Sequence, residues 1–139
     1  MNTLNSIIIS SNLQKKLIQI ALTSLPFESC ALLFGSISKN IITVRFVEQM
    51  ENTKQSSIEF NMDPDELFKK YQDLSYPNFN IVGIFHSHPG PPIPSSTDIM
   101  YMKINPIPWV IYSTTSNELK SFLLDEQLSD ISIKNKFVE

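Results

Sequence analysis

Residues 81–98 read Ile81-Val-Gly-Ile-Phe85-His86-Ser87-His88-Pro-Gly-Pro-Pro-Ile-Pro94-Ser95-Ser-Thr-Asp98, and three kinds of structure succeed one another in them. Ile81 to Phe85 is a short apolar run with the composition of a buried strand. It runs into the only two histidines of the chain, His86 and His88. Side chains two apart on a strand share a face, so both imidazoles point the same way. A stiff loop, Pro89 to Pro94, comes next, and Ser95-Ser96-Thr97-Asp98 then has capping-box spacing, with Ser95 as N-cap and Asp98 at the third helical position. A loop of that stiffness can fold the Asp98 carboxylate back towards the histidines.

Two imidazoles and a carboxylate suit a borderline-soft cation such as zinc. The expectation is one Zn2+ per chain, held by His86, His88 and Asp98, with water as fourth ligand. An open fourth position distinguishes a catalytic from a structural zinc site, because the metal lowers the pKa of its water towards ~7. Such a site wants a base. Glu28, in Pro26-Phe27-Glu28-Ser29-Cys30, stands where a helix gives way to a strand and is the candidate to take the water proton and pass it to a leaving amine. Each residue also has a plainer reading: a hydrogen-bonded core histidine, a simple helix cap at Ser95, a surface acid near a helix end. Cys30 in a buried strand reads as a small apolar residue rather than a reactive thiol.

Outward from this stretch, Ile7 to Ile9 is a short apolar run. Ser10, Ser11 and Asn12 offer caps for a helix with Leu13, Leu17, Ile20 and Ala21 on one face, ending before Pro26. Ser29 to Phe34 and Ile41 to Val47 read as strands, with Ser36 to Asn40 as the turn. Asp63-Pro64-Asp65-Glu66 combines an N-cap, a first-position proline and first-turn acids, so a second helix should carry Leu67, Tyr71 and Leu74 inward and close at Tyr76-Pro77. Trp109 to Tyr112, Leu119 to Leu124 and Ile131 to Ile133 read as further strands, with Trp109 and Phe122 in the core. The fold class is α/β, a single mixed central sheet flanked by helices, in one domain spanning 1–139.

Composition narrows the function. The chain is 42% hydrophobic and 18% charged, with a net charge of -3, which fits a packed globular domain. Its eleven Lys and Arg form no basic stripe, so no nucleic-acid partner is expected. No apolar stretch reaches membrane-spanning length and Met1 to Ser6 does not read as a secretory signal, so neither a membrane partner nor export is expected. With one cysteine, cytoplasmic residence is the expectation.

The pattern Glu28, His86-Ser87-His88, Ser95-Ser96-Thr97-Asp98 resembles that of the JAMM (MPN-plus, Mov34/PAD-1) zinc metallopeptidases. Glu28-Ser-Cys-Ala-Leu-Leu-Phe-Gly35, Glu51-Asn-Thr53, Asp63-Pro-Asp-Glu-Leu67 and Pro108-Trp-Val-Ile-Tyr112 look like family segments in family order. The resemblance implies a JAMM/MPN, cytidine-deaminase-like arrangement, zinc on His86, His88 and Asp98, Glu28 as general acid/base, and Ser95 as hydrogen-bond donor to the developing oxyanion. It implies a metalloprotease acting on ubiquitin-like protein conjugates or their C-terminal tails, at the bond to lysine. A processing peptidase for a sulfur-carrier protein or small peptide, and a non-catalytic MPN scaffold, are the alternatives. Six residues separate His88 from Ser95, Ala31 stands where glycine is common, and 30 residues follow Trp109, so the short prokaryotic, archaeal-like type is the closer likeness. Oligomeric state stays open, a homodimer included.

Overall fold

A computed structural model describes residues 4–54, 61–72 and 79–136. The elements in chain order are β1 (Ser6–Ile8), α1 (Ser11–Ser24), β2 (Cys30–Ser38), β3 (Ile41–Met50), α2 (Pro64–Tyr71), β4 (Asn80–His88), α3 (Ser96–Ile104), β5 (Trp109–Ser113), β6 (Leu119–Leu124) and β7 (Leu128–Lys134). No helix among the described residues is long and apolar enough to cross a membrane.

The fold is α/β with one mixed sheet, as the sequence pattern implies, and the sheet closes on itself in the order β1-β3-β2-β4-β5-β6-β7. The three-residue β1 makes the closure by pairing in parallel with both β3 and β7. β2 and β3 form a hairpin whose turn is tighter than Ser36 to Asn40: the ladder continues to Ser38 opposite Ile41, and Lys39 and Asn40 take φ of 52° and 65°. A two-residue turn with both φ positive matches the twist of its strands, which lets pairing run to the tip. On its other edge β2 pairs antiparallel with β4, and β4 pairs in parallel with β5 through the crossover that contains α3.

Both faces of the central strands are covered, which explains their continuous apolar runs. Ala31, Leu33, Phe85 and Val110 belong to the cluster beneath α1, with Leu17, Ile20 and Ala21 of that helix. Cys30, Leu32, Ile84, Trp109, Ile111 and Phe122 face the other way and pack with Met102 of α3. β4 alternates between these faces, so His86 and His88 project on the side of Ile84 and α3. The register shift in β2 falls at Phe34/Gly35, where a Cβ on Gly35 would stand 1.9 Å from the Thr43 carbonyl oxygen. Only glycine allows that approach.

The second helix departs from expectation. Asp63 caps it and Pro64 begins it, as read, but α2 buries no residue. Leu67 packs partly on the second cluster, whereas Tyr71 is 49% exposed rather than turned inward. α2 is eight residues long, about two turns, and of its residues only Leu67 packs against the second cluster, so Tyr71 one turn later meets no core surface. Leu74 and the Tyr76-Pro77 close lie outside the described residues.

Candidate active site

β4 carries His86 and His88 to the C-terminal end of the strand, opposite the start of β2, where Cys30 pairs with His86. Just before β2, Glu28 is 3% exposed, and His86 is fully buried. Asp98, 4% exposed, enters from the first turn of α3. The capping box is complete: Ser95 Oγ accepts from the Asp98 N–H at 3.1 Å, and Asp98 Oδ2 accepts from the Ser95 N–H at 2.9 Å. That reciprocal pair fixes the helix start and the carboxylate together. Capping uses the oxygen of the Ser95 hydroxyl, which leaves its hydrogen as a donor, here to the Asp98 carboxylate.

The imidazole of His86 lies between two carboxylates. Nδ1 is 3.3 Å from Glu28 Oε1, and Nε2 is 3.2 Å from Asp98 Oδ2. Nδ1 also lies 3.1 Å from the Ser87 carbonyl. Carbonyl and carboxylate oxygens only accept, so Nδ1 carries a proton, and the Nε2 lone pair faces a carboxylate. Such an arrangement calls for either a second proton or a cation. Burial alone lowers the His86 pKa, but hydrogen bonds and charge from Asp98 and Glu28 overcome it and raise it from 6.5 to about 9. Asp98 moves in the opposite sense: burial opposes ionisation, yet hydrogen bonding and charge from His86, with the N–H and hydroxyl of Ser95, lower its pKa.

The structure thus brings Glu28 and Asp98 against opposite nitrogens of His86, with Ser95 at the helix start. His88 stands apart. Its ring centroid is 5.9 Å from that of His86, and its Nδ1 donates to the Pro91 carbonyl at 2.8 Å. Among the described residues no group of three His, Cys, Asp or Glu side chains stands assembled to hold a metal ion. The donors nevertheless fit zinc. Ligands at 2.0–2.2 Å on a tetrahedral ion stand roughly 3.3 Å apart, close to the 3.2 Å between His86 Nε2 and Asp98 Oδ2. The Pro91 carbonyl orients His88 as partners of ligating histidines do, keeping its proton on Nδ1. Glu28 Oε2 is buried with no hydrogen-bond partner, an oxygen left for something bound at the site.

Sequence reasoning passed over the residues that hold this corner together. Ser87 alternates to the face opposite the histidines, where its Oγ accepts from the Ser29 N–H at 2.8 Å and from the Ser29 hydroxyl at 2.9 Å. Ser87 N–H donates to the Ser29 carbonyl at 3.0 Å. A serine inside a buried apolar strand was the available signal, because such a hydroxyl needs a partner. Glu28 also lines a groove of about 390 Å³ with Phe27, Gln49 and Glu51. An apolar cavity of about 140 Å³ beside α2 and α3, lined by Met62, Leu67 and Trp109, contains none of the candidate residues.

Comparison with known proteins identifies the family. Residues 10–125 match the family of prokaryotic homologs of the JAB domain. The chain is 38% identical over 109 residues to the desampylase of Pyrococcus furiosus, covering 76% of this chain and 74% of that protein. A protein of Desulfitobacterium hafniense, solved in solution, superposes with a TM-score of 0.78 at 28% identity, over 91% of this chain and 90% of that one. The chain belongs to the family of prokaryotic homologs of the JAB domain.

Proposed function

We propose that this protein is a zinc-dependent isopeptidase that hydrolyses the bond between a lysine and the C-terminus of a ubiquitin-like modifier. The observation that carries the reading is the buried Glu28–His86–Asp98 line, with an unpartnered Glu28 oxygen at one end and the capped α3 turn at the other. The similarity to a desampylase, an enzyme named for acting on conjugates of this kind, supports the substrate class.

In this reading His86, His88 and Asp98 hold the metal. Zinc bound there supplies a Lewis acid that polarises a carbonyl and makes water acidic enough to attack it near neutral pH. Glu28 takes the proton from the attacking water and returns it to the lysine amine as it leaves. Its burial keeps that proton from bulk solvent. Ser95 donates its hydroxyl hydrogen to the oxyanion as the carbonyl becomes tetrahedral. The groove beside Glu28 receives one side of the scissile bond.

The test supplies the purified chain with one equivalent of zinc and offers lysine-linked conjugates of a ubiquitin-like protein beside its free, tail-extended form. Cleavage of the conjugate, abolished by a chelator and restored by zinc, is the expected result. Cleavage of the extended tail alone points instead to carrier processing. No cleavage, in protein that retains no zinc after dialysis, points to a scaffold.

A further inference from the structure

Asn52, just beyond β3, has no part in the chemistry assigned above, yet it is only 9% exposed. Its Nδ2 donates to the Glu28 carbonyl at 2.8 Å, while its Oδ1 accepts the N–H groups of Lys54 and Asn61, both at 3.1 Å. One carbonyl and two N–H groups allow a single orientation of the side-chain amide. Asn61 continues the line, its Oδ1 accepting from the Tyr101 hydroxyl at 3.2 Å. Tyr101 lies on α3, the helix that also carries Asp98. One chain of hydrogen bonds therefore links the segment bearing Glu28 to the helix bearing Asp98.

Glu28 depends on this link more than its neighbours do. It precedes β2, so the strand ladder, which begins at Cys30, does not hold its carbonyl. Its side chain is tied lightly, with Oε1 3.3 Å from His86 and Oε2 without a partner. The place of the carboxylate is then set by its backbone, and Asn52 grips that backbone. We propose that Asn52 is a positioning residue for Glu28, holding the base in register with His86 and Asp98; the inference rests on Glu28 being the proton carrier of the proposed isopeptidase.

Asn52→Asp is the discriminating variant. It keeps the acceptor towards Lys54 and Asn61 but sets a carboxylate oxygen against the Glu28 carbonyl. With the zinc-loaded protein and a ubiquitin-like conjugate, kcat should fall by about 10- to 100-fold while KM stays within about twofold. Zinc affinity, read by competition with a chromogenic chelator, should be unchanged, because Asn52 touches none of the three proposed ligands. The crystal structure of the variant should show Glu28 withdrawn from His86. Unchanged kcat in a cleaving system, or Glu28 still at its wild-type distance from His86, overturns the inference. So does parallel loss of zinc affinity, KM and kcat, which marks general unfolding. Wild-type protein that cleaves no conjugate refutes the proposed function instead, and the crystallographic comparison then decides the role of Asn52 alone.

Discussion

Nε2 of His86 stands 3.2 Å from Oδ2 of Asp98, and both side chains are buried. The contact joins a strand end to a helix start ten residues further along the chain than His88, across a loop rich in proline. A neutral imidazole turned this way offers a lone pair to a carboxylate, so the pair holds together only with a positive charge between or upon its members. Proton and metal therefore compete for the same place.

That competition predicts opposite pH trends with and without zinc. In chelator-treated protein the His86 pKa is raised from 6.5 to about 9. Because the folded state binds this proton more tightly than the unfolded chain, the stabilisation is fully present below 6.5 and is lost as pH rises towards 9. Denaturation midpoints of the metal-free protein should decline over that interval. Zinc affinity should rise across the same interval, with release of a proton on binding. A zinc affinity that does not vary between pH 6.5 and 9 contradicts this account of His86.

Glu28→Gln keeps the shape of a buried side chain and removes its capacity to carry a proton. Turnover of the conjugate should drop by about 10²- to 10⁴-fold, the usual contribution of a positioned acid/base. Stoichiometric zinc should remain. Loss of metal together with activity would mean that Glu28 acts as a ligand instead.

The capping box gives Ser95 two roles that substitution can separate. Ser95→Ala removes both the cap and the hydroxyl donor, so the protein should lose about 1 kcal/mol of stability and turnover should fall by roughly 10²-fold. Ser95→Gly keeps the helix start at a cost of only a few tenths of a kcal/mol and has no side-chain donor. It should unfold at nearly the wild-type temperature and remain slow, and a fully active Ser95→Gly variant removes Ser95 from oxyanion stabilisation.

Most of this site could be read in the sequence because its signals are local. His86 and His88 share a strand face by alternation, and Ser95 and Asp98 share a helix turn by capping geometry. Glu28 was read chiefly from its place in the family pattern, since nothing within a few residues of it says that His86 lies 58 positions away in sequence and 3.3 Å away in space. The supports were harder still. Ser29 with Ser87, and Asn52 with Asn61, are single polar residues whose meaning depends on strand register and loop path. Closure of the sheet escaped notice for a similar reason, because β1 has three residues and its two parallel partners lie far along the chain. The inward-facing reading of Tyr71 failed because helical periodicity gives a face but not the extent of the surface that face meets.

Gly35 separates fold from site. Its missing side chain admits the Thr43 carbonyl oxygen, backbone against backbone, at the bulge of the β2/β3 hairpin. Gly35→Ala cannot be relieved by a side-chain rotation, so it should cost about 1–3 kcal/mol or more. The surviving folded fraction should bind zinc with wild-type affinity. Thermal unfolding with and without zinc checks both statements, and an unchanged midpoint contradicts the close approach.

Cys30 tests the burial of the strand that faces His86. Its thiol is fully buried, and burial, helped by the charge of Glu28, pushes its pKa up from 9.0 to about 12. The thiolate is the reactive form, so a disulfide reagent at pH 8 should not modify the native protein but should react at once with one thiol per chain in denaturant. The same shift has a stability consequence. The folded state keeps the thiol proton to higher pH than the unfolded chain, so stability from this group is intact below 9 and drains away between 9 and 12. Cys30→Ala removes the titrating group and should flatten that alkaline limb relative to wild type, at the cost of a small cavity. Rapid modification of native Cys30 at pH 8 means that the corner around Glu28 and His86 opens to solvent, and the buried proton transfer proposed for Glu28 would fail with it.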